Sequence, residues 1–204
     1  MNLLLVDNYD SFTYNLLHLF GVIDGVNVVV KRNDEDILSG VDDFDGVIIG
    51  PGPGSPDDPH YFGANSKIIQ NYQNPILGVC LGFQGIALEF GATLKKANQP
   101  KHGKTSPIKI IGGSKLLENI DQETEVMRYH SLMIDTDKPL GDDLIITAEV
   151  SPESDSIAEN GREIMAIEHK NRPIYGVQFH PESFATPAGA TLANNFIKIV
   201  GEHQ

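Results

Sequence analysis

Residues 75–91 read "PILGVCLGFQGIALEFG". A proline opens an apolar run of strand length, and beyond Cys80 the pattern lengthens into a helix that stops at Gly91. A strand over 75–80 that feeds directly into a helix over 81–91 turns sharply at the carboxyl edge of a parallel sheet. Cys80 stands at that turn, inside G-x-C-x-G, the thiol counterpart of the nucleophile elbow. Such a turn strains the backbone and crowds its neighbours, so Gly78 and Gly82 must be small. The amino end of the following helix favours thiolate over thiol, and the Leu81 N–H faces the position where an oxyanion would form. The same residues also fit a buried core thiol, since unpaired cysteine packs as a small hydrophobe. A second feature has to decide.

Working outward, "NLLLVD" (2–7), "NVVVKR" (27–32) and "DGVIIG" (45–50) read as strands. "SFTYNLLHLFG" (11–21) reads as a helix capped by Asp10 or Ser11 and stopped by Gly21, and "GANSKIIQNY" (63–72) as another. Strand and helix alternate with short links, which implies parallel strands covered on both faces. The second half differs. Strand-like runs at 106–111, 124–129, 132–136, 144–150, 163–169 and 173–180 follow one another between turn signals, and one helix over 189–201 closes the chain. The expected class is therefore α/β: an open, mostly parallel twisted sheet with helices on both faces and extra antiparallel strands in the second half. Residues 1–204 read as a single domain, without repeats or linker-like tracts.

Bulk properties narrow the function. The chain carries 15 Lys+Arg against 28 Asp+Glu, a formal charge of −13. That balance argues against nucleic-acid or anionic-membrane partners, which need clustered cations. The amino terminus has neither the basic segment nor the apolar core of a signal peptide, and no apolar run approaches the roughly 18 residues of a membrane span. One cysteine forms no internal disulfide and supplies no multi-thiolate zinc site, so the expectation is a cytoplasmic protein with no metal.

The deciding feature is "YGVQFHPES" (175–183). Pro181 cannot donate to a central ladder, so His180 lies at the sheet edge. The residue before proline is extended; if Pro181 is extended too, His180 and Glu182 point to the same side. That is how a carboxylate holds an imidazole in one tautomer while its other nitrogen faces a thiol. A structural turn with a solvated glutamate is the bland alternative. "IIGPGPGSPDDP" (48–59) follows another strand and should lie at the same edge. Pro53 has no N–H, so donation there falls to Gly52 or Gly54. With Leu81 this makes a two-donor hole, about 3–4 kcal/mol per donor. A phosphate loop would need GK[ST] or G-x-G-x-x-G, and neither is present.

"GPGPGSP", "GVCLGFQ", "RYHSL" and "VQFHPES", in this order and at these spacings, resemble the class I (triad-type) glutamine amidotransferases. "LLLVDNYDSFTYNL" and "HGKTSPI" (102–108) narrow the likeness to the glutaminase subunits of anthranilate synthase and aminodeoxychorismate synthase, over nearly the whole chain. The resemblance implies that Cys80 attacks the side-chain amide of L-glutamine, assisted by His180 and oriented by Glu182. It maps Gly52 and Leu81 onto the oxyanion donors, and Gly52, Pro53, Gly54, Gln84, Ser131 and Leu132 onto the glutamine-binding positions. It further implies a hetero-oligomer in which ammonia passes through a channel to a chorismate-binding large subunit, with "HGKTS" a candidate contact. No cofactor is expected in this subunit; "DNYDSFTYNL" lacks the glycine of a flavin phosphate loop.

Overall fold

The computed structural model describes residues 1–203. In chain order the elements are β1 (Asn2–Asp7), α1 (Thr13–Gly21), β2 (Asn27–Arg32), β3 (Gly46–Ile49), α2 (Pro59–Phe62) and α3 (Asn65–Asn71). There follow β4 (Ile76–Val79), α4 (Leu81–Glu89), β5 (Leu94–Ile110), β6 (Thr124–Ile134) and β7 (Leu144–Val150). The chain ends with α5 (Asp155–Asn160), β8 (Ile164–His169), β9 (Ile174–Val177) and α6 (Gly189–His203).

All nine strands of the described residues form one sheet, ordered β2-β1-β3-β4-β9-β8-β7-β5-β6. The first five are parallel; β9-β8, β8-β7, β7-β5 and β5-β6 pair antiparallel. The buried runs of β1, β3 and β4 explain the parallel half. Successive side chains of a strand face opposite ways, so Leu3 and Leu5 join one core with Phe20 and Phe196, from α1 and α6. Leu4 and Val6 join the other with Ile68, Phe83 and Ile86, from α3 and α4. A strand apolar at every position needs helices on both faces, and it has them. No helix of the described residues is long and apolar enough to cross a membrane.

The departures from expectation lie mostly in the second half. The strand expected over 106–111 extends back to Leu94. Its register against β6 shifts between Lys96 and Lys101 and again between His102 and Lys104. Each bulge moves the alternation to the other face, which hides the strand from a period-two reading. The runs at 124–129 and 132–136 belong to a single strand, β6, with polar His130 buried in its middle. α5 lies outside the expected elements. It has six residues, too few for a helical period, and starts where the Ser154 side chain accepts from the Ser156 N–H. α1 begins at Thr13, not Ser11, because the Asp10 side chain accepts from the Phe12 N–H at 2.7 Å and holds residues 10–12 in a turn.

The sheet also curls. β6 stands last in the order, four places from β9, yet the Met127 carbonyl on β6 accepts from the His180 N–H just beyond β9 at 2.9 Å. The antiparallel half therefore comes back over the carboxyl edge of the parallel half, where β4 and β9 end.

Candidate active site

Cys80 is the residue between β4 and α4, with φ 52° and ψ −98°. A non-glycine residue held there costs on the order of 1–3 kcal/mol, so its surroundings must over-determine it. They do. A Cβ on Gly78 would lie 2.5 Å from the Gly82 carbonyl carbon, and one on Gly82 would run into the Ile49 carbonyl. The Cys80 N–H donates to the Val177 carbonyl at 2.9 Å, and the Cys80 carbonyl accepts from the Gln84 N–H at 3.0 Å. Leu81 opens the helix, and the first N–H groups of a helix have no intrahelical acceptor.

β4 and β9 are parallel neighbours with Val79 opposite Val177, so the chain leaving β9 emerges beside the elbow. Two bonds of one hydroxyl fasten it there: Thr186 Oγ1 donates to the His180 carbonyl at 2.8 Å and accepts from the Met127 N–H at 2.9 Å. The His180 and Glu182 side chains, both covered, meet with Nδ1 2.6 Å from Oε1. Nδ1 is thus taken by the carboxylate, and buried Nε2 has no hydrogen-bond partner within the described residues. Nε2 is the nitrogen open to the sulfur. Burial alone would depress the imidazole; the Cys80 sulfur and the Glu182 carboxylate outweigh it and push His180 up to about 10. Phe12 and Tyr129 pack against the ring, with centroids 5.6 and 5.2 Å away.

The Gly-Pro loop after β3 forms one wall of the cleft. Gly52 rests on the start of α4, where a Cβ would lie 2.7 Å from Leu81 Cδ2, and Gly54 adopts a φ of +76° over the Tyr61 ring. Three buried asparagines pin this loop. Asn8 Nδ2 donates to the Gly50 carbonyl at 2.8 Å, while Asn8 Oδ1 accepts from Asn33 and Asn65 at 2.9 and 2.7 Å. The two donor segments expected at the sheet edge are therefore in contact.

Between loop and elbow lies a cavity of about 220 Å³. Cys80 lines it, as do Gly52, Pro53, Gly54, Gln84, Ser131 and Leu132, together with Lys101, His102, Tyr129 and His130 from the returning hairpin. Gln84 Nε2 donates to the Leu132 carbonyl and to Gln178 Oε1, both at 3.1 Å, which leaves its Oε1 for the cavity. A larger hollow of about 330 Å³ lies between Lys115, Glu118, Lys198 and Glu202. Neither cysteine nor histidine lines it, and its charges are paired as Lys115–Glu202 and Lys198–Glu118.

The expected catalytic, oxyanion and glutamine-binding residues thus lie together at one edge. Reasoning from residue types missed Phe12, Tyr129, His130 and Gln178. The last three stand inside "RYHSL" and "VQFHPES", but nothing in a linear pattern says that β6 returns to β9.

Comparison with known proteins agrees with this geometry. Residues 4–200 match the family model described as glutamine amidotransferase class-I. Anthranilate synthase component 2 of Lactococcus lactis is 42% identical over 204 residues, covering 99% of this chain and 96% of that one. Aminodeoxychorismate synthase of Streptomyces griseus is 42% identical over the whole chain, which spans only 27% of that longer protein. A solved structure from Thermoplasma acidophilum, described as a putative GMP synthase protein, superposes with a TM-score of 0.85 at 30% identity, covering 99% of this chain and 94% of that one. The chain belongs to the class-I glutamine amidotransferases.

Proposed function

We propose that this chain is a glutaminase subunit that hydrolyses L-glutamine to glutamate and ammonia and delivers the ammonia to a chorismate-binding large subunit for anthranilate synthesis. The Cys80 sulfur attacks the side-chain amide carbon, and the resulting oxyanion meets the N–H groups of Gly52 and Leu81. His180 gives its proton to the departing nitrogen, leaving a glutamyl thioester. A water then attacks, His180 takes its proton, and glutamate leaves as sulfur is released. Glu182 keeps Nδ1 occupied and Nε2 in play through both steps. Gln84 Oε1, Ser131 and Leu132 hold the amino-acid end of glutamine.

The observation that carries this reading is the unpartnered, buried Nε2 of a histidine whose other nitrogen is held by Glu182, at the elbow of the only cysteine. The partner is supported by the relatives' names, which include component 2 of a synthase. It is also supported by exposed aromatic residues at the same edge: Tyr9 and Tyr14 after β1, and Phe184, 96% exposed, after β9. Ammonia free in water at neutral pH is mostly ammonium and a poor nucleophile, so direct transfer serves the chemistry. The same reaction feeding aminodeoxychorismate synthesis is the second reading, favoured by the Streptomyces relative. The reading also places the chain, with no cofactor of its own, in the cytoplasm. In the assembled complex, Cys80→Ser should abolish glutamine-dependent synthesis and spare ammonia-dependent synthesis; loss of both overturns the reading. Isolation of the complex from native cells identifies the large partner chain, which separates the two pathways.

A further inference from the structure

Behind the cavity a chain of buried polar groups ends on the sulfur. It starts at Arg128, fully buried with Glu163, to which it is ion-paired. Arg128 Nε donates to His130 Nε2 at 3.1 Å, and His130 Nδ1 lies 2.9 Å from the Leu132 carbonyl. Gln84 Nε2 donates to that carbonyl and to Gln178 Oε1, and Gln178 Nε2 lies 3.7 Å from Cys80 Sγ, within hydrogen-bond range for sulfur.

The direction of every link follows from chemistry. Arginine only donates, so His130 Nε2 accepts and its proton sits on Nδ1, facing an oxygen that only accepts. Burial, then the charge of Arg128, holds His130 down at about 3, which keeps this neutral tautomer in place. A carbonyl cannot donate, so Gln84 must turn its NH₂ towards Leu132 and thereby towards Gln178 Oε1. The Gln178 amide then has one orientation left, with its NH₂ on the sulfur. A buried donor aimed at a sulfur is best satisfied when that sulfur is anionic.

We propose that Gln178 is a further catalytic residue, whose amide N–H stabilises the Cys80 thiolate and keeps it aimed at the cavity, while Arg128, His130 and Gln84 act as positioning residues that fix the amide's direction. The proposal rests on the glutaminase reading. It leaves the unpartnered Nε2 of His180 for proton transfer, so the two donors divide the work. The remaining titratable groups facing the sulfur are Glu182 through His180 and, across the cavity, Lys101, His102, Tyr129 and His130.

Because Cys80 is the only cysteine, iodoacetamide alkylation of the full-length chain reads this thiol alone. Its rate is measured against pH in the parent, in Gln178→Met, which removes the donor at similar volume, and in Gln178→Glu, which sets an acceptor against the sulfur. The expected result is a fall of about tenfold at pH 7 for the methionine variant, the loss of one hydrogen bond to a charged group. The fall is larger for the glutamate variant, and both recover at higher pH. Parent-like pH profiles in both variants overturn the proposal, and so does a lowered melting temperature with an unmoved profile, which assigns Gln178 to packing. If the glutamate variant does not fold, the methionine variant decides alone. A parent thiol that is unreactive at neutral pH contradicts the glutaminase reading itself, a failure distinct from an unmoved Gln178 variant.

Discussion

The backbone N–H of Cys80 donates to the carbonyl of Val177 at 2.9 Å. This bond ties the Cys80 elbow to the end of β9: β4 and β9 lie side by side, and three residues after Val177 the chain presents His180. The nucleophile continues the ladder of this parallel pair, and the base, just beyond it, is fastened to β6 by the bond from its N–H to the Met127 carbonyl.

Glu182→Gln keeps shape and volume but takes away the charge and the acceptor preference that hold His180. We expect glutamine hydrolysis to fall on the order of 10³–10⁴-fold, by analogy with the serine triad, together with a loss of stability, since buried His180 loses its counter-charge. Nuclear magnetic resonance of the imidazole should show His180 titrating below its parent value, since Glu182 is one of the groups raising it. An unchanged titration would show that the carboxylate does not govern the imidazole.

Two histidines shape stability against pH in opposite senses. The folded state pushes His180 up from 6.5 to about 10, so its contribution is whole below pH 6.5 and drains away as pH rises towards 10. His130 is pushed down to about 3, so its contribution is whole above pH 6.5 and is lost as pH falls towards 3. Denaturant midpoints should therefore be highest near neutrality. His180→Gln should flatten the alkaline limb, and His130→Asn the acid limb; limbs unaffected by these changes would assign the dependence to other groups.

Gly82→Ala forces a methyl group against the Ile49 carbonyl, a backbone atom that cannot swing aside. The expected cost is about 1–3 kcal/mol of stability, with a larger loss of activity because the elbow itself must shift. Gly21→Ala is the control: a methyl there meets nothing within 4 Å at the end of α1, and should raise stability by about 0.4–1 kcal/mol. Equal melting temperatures for the two variants would remove the steric argument for the elbow.

Glu163→Gln leaves the Arg128 guanidinium buried without its counter-charge. Breaking a buried pair from one side costs about 3–5 kcal/mol, so urea unfolding should show this position among the most sensitive of the second half. A change below about 1 kcal/mol would mean that Ser106 and Ser156, which accept from Arg128 at 3.0 Å, suffice to hold the charge.

The parallel half is legible in the sequence because its signal is local. β1 and β2 have the bounds that their apolar runs indicate, and β4 and α4 fall within a residue or two of theirs. Cys80, His180 and Glu182 are legible for the same reason, since glycines around a strand end and a proline after a histidine act within a few residues. The hairpin of β5 and β6 is not, because its bulges break the alternation that marks a strand. Its return to the parallel edge is a property of sheet curvature. Tyr129, His130 and Gln178 acquire roles only through that return, so neither spacing nor composition announces them.

The most direct test of the account is covalent labelling by 6-diazo-5-oxonorleucine, an electrophile shaped like glutamine, followed by peptide mass mapping. The account predicts a single adduct on Cys80, absent in Cys80→Ser and formed far more slowly in His180→Asn. An unlabelled Cys80, or labelling that proceeds at the parent rate without His180, would contradict it.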